Sequence, residues 1–206
     1  MAINNEDGRV KRTKKLIRKG LVDLAQTKRI NKITVKELTD YIEINRGTFY
    51  LHYKDIFDLV DSLENELYDD FDKKLSSFTP ETLLTTPVDV CEALCSHFFE
   101  HKDLYSTFIG VNGDAHFAFQ IGDRFNKSVH DIFKELFPKM NDADYDLAYS
   151  YGKFGLVGIT HIWFNEYPEK TPREIAEMWL KLTHLGIWGI LDDEGKEVIL
   201  NGKNPR

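Results

Sequence analysis

Residues 34–53 read Thr-Val-Lys-Glu-Leu-Thr-Asp-Tyr-Ile-Glu-Ile-Asn-Arg-Gly-Thr-Phe-Tyr-Leu-His-Tyr and contain two short helical patterns separated by a tight turn. Thr34 is a predicted N-cap, because Glu37 follows three residues later as in a capping box. Asn45 is a second predicted N-cap, which begins a short helix over Arg46–Leu51. Two short helices with a tight turn are typical of a helix-turn-helix, whose second helix enters the major groove of DNA.

The second short helix is expected to present polar side chains to DNA. It is too short to bury more than Phe49 and Tyr53. Short polar side chains and a glycine allow DNA to approach closely, and Arg46 can reach a base edge or a phosphate. The alternative is that Tyr50 and His52 are ordinary surface residues of a small helical bundle. The outward-facing candidates are Arg46, Gly47, Thr48, Tyr50 and His52.

The charge of the chain is distributed unevenly along its length. The 206 residues carry a formal net charge of −7. Residues 1–54 hold 13 Lys and Arg against 6 Asp and Glu, whereas residues 55–206 hold 14 against 28. A basic N-terminal part joined to an acidic remainder is typical of a DNA-binding domain fused to a second domain, although chance fluctuation is the alternative.

Six basic residues crowd the first predicted helix, which spans Arg9–Thr27. Positive charges near a helix N-terminus oppose the helix dipole, which costs roughly a few tenths of a kcal/mol for each residue. A solvated basic face is one interpretation, but this density of charge indicates an external anion. The six residues are Lys11, Arg12, Lys14, Lys15, Arg18 and Lys19.

The rest of the chain also has helical periodicity. A long fourth helix is predicted from Ile56 to about Ser76, and Pro80 and Pro87 flank a short connection after it. Further helices are predicted at Val88–His101, Leu104–Val111, Asp114–Phe137, Asp142–Glu166 and Pro172–Leu191. We therefore predict an all-α fold with two domains. A three-helix helix-turn-helix domain at 1–55 is joined by the long helix to a helical ligand-binding and dimerisation domain at 56–206.

Residues 9–75 resemble the N-terminal domain of the TetR family of transcriptional regulators. The resemblance rests on Ile33–Leu38, on Asn45–Tyr53 with its Gly-Thr-Phe-Tyr-x-His-Tyr run, and on Lys54-Asp55 leading to Leu59. A looser resemblance links the C-terminal part to one subgroup of the family found in Gram-positive bacteria. That part of the match rests on Leu104–Asp114, Gly155–Trp163 and Thr171–Ala176.

The resemblance implies a homodimer that binds a palindromic operator in double-stranded DNA. In this family, phosphates are contacted by the cap of the second helix and by the Tyr, His and Lys that follow the recognition helix. Asn45, Arg46 and Thr48 occupy positions where base and backbone contacts are expected. The predicted DNA-binding set is Thr34, Lys36, Asn45, Arg46, Gly47, Thr48, Tyr50, His52 and Lys54.

Two residues depart from the family pattern. Glu43 stands in the turn where the family often has glycine, and a left-handed conformation there costs about 1 kcal/mol. Ile56 stands where many members have a lysine that contacts phosphate. We therefore expect Lys54 to make that contact alone.

The last two long helices carry a stripe of small and apolar residues. Small residues at helical spacing let another helix approach closely, and two adjacent apolar helices near the C-terminus are typical of a four-helix dimer seam. The alternative is an ordinary core within one chain. The predicted dimer interface comprises Ala148, Gly152, Gly155, Ile159, Ile162, Met178, Trp179, Leu182, Leu185 and Gly189.

A small-molecule pocket is predicted among the middle helices, which are rich in aromatic residues. Large apolar pockets with a few polar groups are the usual form of such sites. For each polar candidate, an ordinary core or surface position is the alternative. The predicted pocket residues are Cys91, Phe98, Phe108, His116, Phe117, Gln120, Tyr151 and Trp163.

Two pairs of side chains have a spacing that metal sites also use. Cys91 and Cys95 are four residues apart, as are His97 and His101. A soft metal ion or a thiol sensor is one interpretation, but two buried cysteines on an apolar stripe are more often core residues. We therefore predict no metal site and no cofactor.

These observations combine into one functional prediction and one alternative. The chain is predicted to be a homodimeric repressor that a small-molecule inducer releases from a palindromic operator. The alternative is a helix-turn-helix coactivator whose signal is a protein partner. No catalytic residue is predicted, because the sequence has no nucleophile elbow, phosphate loop or His-Glu-x-x-His motif. We expect a cytoplasmic protein without membrane association, since no apolar segment suits a signal peptide or a membrane span.

Overall fold

The computed structural model describes residues 3–110, 112–113, 115–136 and 138–186, and every regular element in these ranges is a helix. The prediction of an all-α chain is confirmed. The elements are α1 Ile3–Ala25, a 3-10 helix Ile30–Lys32, α2 Val35–Tyr41, α3 Arg46–Tyr50, α4 Ile56–Leu75, α5 Pro80–Thr85, α6 Pro87–Glu100, α7 Lys102–Ile109, α8 Ala115–Leu136, α9 Asp142–Glu166 and α10 Pro172–Leu185.

The helices lie close to their predicted positions, with one addition. The connection between Pro80 and Pro87 forms the short helix α5, which the apolar periodicity does not reveal. A capping box begins it: the Thr82 N–H donates to the Thr79 Oγ1 at 3.2 Å, and the Thr79 N–H donates to the Thr82 Oγ1 at 2.9 Å. Residues 187–191 of the last predicted helix lie outside the described residues.

The chain forms two compact units. The first unit combines Met1–Lys73 with His101–Arg124, and the second combines Lys74–Glu100 with Phe125–Arg206. The first unit therefore contains α4 almost entirely, together with α7 and the first part of α8. These units do not follow the boundary predicted between residues 55 and 56. That boundary is a division of function and stays a prediction.

The core of the first unit forms where α1 packs on α2. Ile17 and Leu21 of α1 and Leu38 of α2 are fully buried. A Cβ added at Gly20 would lie 2.4 Å from the Ile42 Cγ2 and 2.8 Å from the Leu38 Cδ1. The two helices therefore approach so closely that only glycine fits at position 20 without displacing its neighbours.

The segment that begins at α7 holds α1 through polar contacts. The Arg18 guanidinium donates to both carboxylate oxygens of Asp103, at 2.9 and 3.0 Å. The side-chain amide of Asn112 donates to the Ala25 and Gln26 carbonyls at 3.1 and 3.3 Å. The Ile30 N–H donates to the Asn112 carbonyl at 3.1 Å. Asn112 therefore satisfies carbonyls that the end of α1 leaves without helical partners.

Two substitutions at Asn112 test this contact. Asn112→Ala removes both side-chain donors and is expected to lower the free energy of unfolding by about 1 kcal/mol. Asn112→Asp is expected to lower it further, because a carboxylate cannot donate and places a negative charge at the negative end of the α1 dipole. Equilibrium unfolding in urea measures both variants. Equal stability of the two variants would contradict the assigned role.

The second unit is built on α6, α9 and α10. Trp163 on α9 is 1% exposed and stacks on Phe99 of α6, with ring centroids 5.4 Å apart. Its indole N–H donates to the Lys170 carbonyl at 2.9 Å, which holds the turn between α9 and α10. At the start of α10, the Arg173 guanidinium donates to Glu92 at 2.7 Å and to Asp89 at 3.2 Å. These contacts fix α10 along α6.

Candidate nucleic-acid interface

The start of α2 is capped as the sequence predicts, but only on one side. The Glu37 N–H donates to the Thr34 Oγ1 at 3.2 Å. In a capping box the Glu37 carboxylate would also accept from the Thr34 N–H. That part of the prediction is wrong, because the carboxylate accepts from the Lys28 ammonium at 2.6 Å instead. That hydrogen bond is the largest cause that holds the pKa of Glu37 below its usual value. The Lys28–Glu37 pair ties the segment after α1 to the start of α2.

The turn between α2 and α3 places a glutamate in a left-handed conformation. Glu43 has φ 55°, a region that side chains other than glycine rarely adopt. The Ile44 N–H donates to the Thr39 carbonyl at 3.0 Å and closes the turn. The conformation that the family pattern assigns to glycine is therefore present here with a side chain.

The strain at this turn can be measured with two variants that remove the same carboxylate. Glu43→Gly relieves the left-handed conformation, whereas Glu43→Ala keeps a Cβ in it. We expect Glu43→Gly to be more stable to unfolding than Glu43→Ala by up to about 1 kcal/mol. Chemical denaturation gives the difference, and a more stable alanine variant would show that the turn is not strained.

The short helix α3 is anchored by two aromatic side chains. Phe49 is fully buried and Tyr53 is 5% exposed, with ring centroids 5.8 Å apart. At the start of the helix, the Gly47 N–H donates to the Asn45 Oδ1 at 2.7 Å, as the predicted cap requires. Because one side of α3 is buried, the other side faces out, and Tyr50 there is 56% exposed.

All of the predicted DNA-binding residues lie on the surface of the first unit. Thr48 and His52 are half-buried and the other seven are exposed. The Lys36 ammonium lies 3.1 Å from the Asp40 carboxylate, so part of its charge is balanced within α2. Ile56 is 5% exposed and therefore cannot replace the lysine that many family members have at this position. Contact between DNA and the nine predicted residues stays a prediction.

The eight predicted pocket residues are divided between the two units. Phe108, His116, Phe117 and Gln120 belong to the first unit, and Cys91, Phe98, Tyr151 and Trp163 belong to the second. Five of the eight are buried in the core of their own unit: Cys91, Phe98, Phe108, Phe117 and Trp163. Tyr151 is 61% exposed on α9. A ligand role for these residues stays a prediction.

The two cysteines are buried on α6. Burial raises the pKa of the Cys91 thiol and that of the Cys95 thiol to about 12. Both are therefore thiols at neutral pH, whereas metal binding and oxidation need the thiolate. This burial favours the core interpretation over a thiol sensor. The described residues contain no group of three or more side chains placed to hold a metal ion.

α9 carries apolar residues on most of its circumference, although the described residues bury only one side of it. Its buried side includes Tyr145 and Trp163. Its other side exposes Leu147, Tyr151, Phe154 and Ile162, which are 72%, 61%, 53% and 48% exposed. A helix that is apolar all round is normally covered on every side. This surface of α9 is therefore both apolar and exposed among the described residues.

A cavity of about 390 Å³ lies between α9 and α10, within the second unit. A Cβ added at Gly152, Gly155 or Gly158 would meet nothing within 4 Å, so packing within the chain does not require these glycines. The residues that line the cavity are Ser150, Tyr151, Gly152, Phe154, Gly155, Ile159, Trp179, Leu182 and Thr183. Five of them belong to the predicted dimer interface. Gly189, also predicted there, lies outside the described residues.

Comparison with known proteins identifies the family of the C-terminal part. Residues 85–185 match the TetR C-terminal family described as "Transcriptional regulator C-terminal region". An uncharacterised HTH-type transcriptional regulator of Bacillus subtilis, YxbF, is 23% identical over 164 residues, which are 78% of this chain. The match spans 42% of the length of YxbF.

Solved structures of similar fold cover most of the chain. A TetR regulator from Streptococcus agalactiae 2603V has a TM-score of 0.56 at 20% identity, covering 88% of this chain and 98% of its own. FadR of Thermus thermophilus, a TetR repressor in complex with lauroyl-CoA, has a TM-score of 0.53 at 16% identity and covers 84% and 94%. The dihydroxyacetone kinase operon activator DhaS has a TM-score of 0.51 at 16% identity and covers 88% and 98%.

The family match, the Bacillus relative and the helix-turn-helix support a transcriptional regulator. Residues 85–185, about half of the chain, belong to the TetR C-terminal family, which supports a TetR family regulator. Among the described residues, no helix combines the length and the apolar composition needed to cross a membrane.

Proposed function

We propose that this chain is a homodimeric repressor that binds a palindromic DNA operator and is released by a small-molecule inducer. The observation that carries the DNA-binding part is the exposed side of α3 on a basic surface. Residues 1–54 have seven more basic than acidic residues, whereas the rest of the chain is strongly acidic. Such a distribution attracts a nucleic-acid backbone to one part of the molecule and repels it from the other.

The geometry of α3 supports base contacts by some side chains and phosphate contacts by others. Arg46 is the first residue of the helix and is exposed, so its guanidinium can reach a base edge in the major groove. Gly47 beside it carries no side chain that would hold the helix away from the groove. Tyr50 ends the helix, His52 and Lys54 follow it, and Thr34 caps α2; these four residues are assigned to phosphates. Acting on chromosomal DNA, the protein would work in the cytoplasm.

The salt dependence of DNA binding tests this assignment. A dimer with about 6–10 phosphate contacts should lose roughly 10³–10⁵ in affinity between 50 and 200 mM salt. The operator is first selected from fragments of the source genome with the purified protein, and fluorescence anisotropy then gives the affinity. An affinity that does not change with salt would contradict DNA binding.

Two alanine variants separate base reading from phosphate binding. Arg46→Ala should reduce the preference for the selected operator over a random duplex, by about 1–3 kcal/mol if Arg46 reads a base. Lys54→Ala should weaken binding to both duplexes equally and flatten the salt dependence. The same titrations measure both effects. If Arg46→Ala weakened both duplexes equally, Arg46 would be a phosphate contact and not a base contact.

The second part of the proposal is that a second copy of the chain covers the exposed surface of α9 and α10. This surface carries large side chains, such as Tyr151 and Phe154, beside open glycine positions at 152, 155 and 158. Large and small residues on one surface can fit the same surface of a second copy across a two-fold axis. Exposed apolar patches of this kind mark protein interfaces.

Leucine at position 155 tests the dimer. Gly155→Leu should stabilise α9 itself, because glycine in a helix costs roughly 0.5–1 kcal/mol relative to alanine. It should also fill the space that the second copy needs, so we expect a monomer. Asp146→Leu is the matched control, since position 146 is exposed on the opposite side of α9 and should leave a dimer.

Sedimentation equilibrium at several concentrations gives the mass of each variant. A wild-type monomer would contradict the proposal, as would a Gly155→Leu variant that remains a dimer as tight as the control. Circular dichroism checks that both variants stay helical.

The dimer would have two shapes, and only one of them places both α3 helices on their half-sites. The inducer would act by stabilising the other shape. The coactivator signalled by a protein partner remains the second candidate. The names of the solved neighbours include both a repressor and an activator, so the fold is compatible with either output. A pull-down with and without metabolites, together with expression of the adjacent genes in a deletion strain, distinguishes the two.

A further inference from the structure

The basic residues of α1 form a stripe that neither the fold nor α3 explains. With 100° between successive residues of an α-helix, Lys11, Lys14, Lys15 and Arg18 fall within about 100° of its circumference. Residues spaced by three or four positions are neighbours on a helix, and like charges there destabilise it by roughly 0.2–0.5 kcal/mol for each pair. Adding Lys19 and Arg12 widens the stripe to about 160°. The fold alone would be more stable without this clustering.

The stripe reaches the end of the recognition helix. The Lys14 ammonium lies 5.9 Å from the centroid of the Tyr53 ring. The Tyr53 ring in turn lies 6.4 Å from the ring of His52, one of the residues assigned to phosphates. Lys14 is exposed, and its ammonium lies over the Tyr53 ring at the distance of a cation–π contact. The basic stripe therefore begins beside the segment that follows α3.

Three lysines of the stripe differ from Arg18 in their ion pairing. Arg18 is paired with Asp103 at 2.9 Å, and this pair joins α1 to α7. Lys14, Lys15 and Lys19 are exposed and have no carboxylate partner among the residues that the structure describes. Their charges are therefore available to an anion from outside the chain.

We propose that this stripe of α1 binds the phosphate backbone of DNA beside the major groove that α3 enters, with Lys14 as its residue nearest α3. The inference rests on the proposed DNA binding and extends it to an element outside the helix-turn-helix. A lysine ammonium is a compact charge on a flexible stem, which suits phosphate contacts that carry no sequence information. The contact with the Tyr53 ring places the Lys14 ammonium near the end of α3.

The test measures the salt dependence of binding to two duplexes, the selected operator and a duplex of random sequence. Lys14→Gln keeps most of the stem and removes the charge. We expect the slope of log affinity against log salt to flatten by about 0.9 for each chain bound, as one phosphate contact predicts. For a dimer, in which each chain loses one contact, the slope flattens by about 1.8, which corresponds to a roughly twelvefold smaller loss of affinity between 50 and 200 mM salt. The preference for the operator over the random duplex should not change.

Three further variants control this measurement. Lys14→Arg keeps the charge and should keep the wild-type slope. Lys139→Gln makes the same change of net charge at an exposed position of the second unit and should also keep it. Lys15→Gln removes another charge of the stripe, for which no ring contact is seen among the described residues. It is therefore expected to flatten the slope even if loss of the Lys14–Tyr53 contact unfolds Lys14→Gln. Thermal unfolding confirms that each variant is folded.

The outcomes distinguish this inference from the proposed function. If the wild type binds DNA with a steep salt dependence but neither Lys14→Gln nor Lys15→Gln flattens it, the stripe does not bind phosphate and only this inference is overturned. If Lys139→Gln flattens the slope as much as Lys14→Gln, net charge is the cause and the inference is again overturned. A wild type without salt-dependent binding overturns both proposals.

Discussion

The burial of Phe49 is the contact on which the DNA-facing surface depends. A helix as short as α3 is not stable by itself in water, because it forms few hydrogen bonds for the residues that it orders. Packing of the fully buried Phe49 ring therefore determines where this helix lies. The Asn45 cap sets its first turn, and the left-handed Glu43 directs the chain into it. The exposure of Arg46 and Tyr50 follows from these three constraints.

α1 connects this surface to the rest of its unit. Gly20 allows α1 to lie directly against α2, so a displacement of α1 carries the helix-turn-helix with it. The same helix is held by α7 and the following loop, through Asp103 and Asn112. One helix, α1, thus carries the basic stripe, supports α2 and contacts α7. α1 therefore links α7 to the helix-turn-helix within the first unit.

The second unit combines a well-packed side with an apolar side that the described residues leave exposed. Trp163 and the Arg173 ion pairs hold α9 and α10 against α6. The other side of α9 carries large apolar residues next to glycines that have open space around them. A surface of this kind is stable in water only when it is covered. This composition is the basis for the proposed association with a second copy of the chain.

The sequence by itself determined the features that depend on neighbours along the chain. The caps at Thr34 and Asn45, the helix periodicity and the helix-turn-helix follow from contacts over two to four residues, which the order of residues specifies directly. Only the tertiary structure decided the partner of Glu37, which Lys28 takes because an ammonium binds a carboxylate more strongly than a backbone N–H does. It also separated the predicted pocket residues into two units. Helical periodicity shows that Phe98 and Phe108 face inward, but packing between distant segments decides which core each one enters.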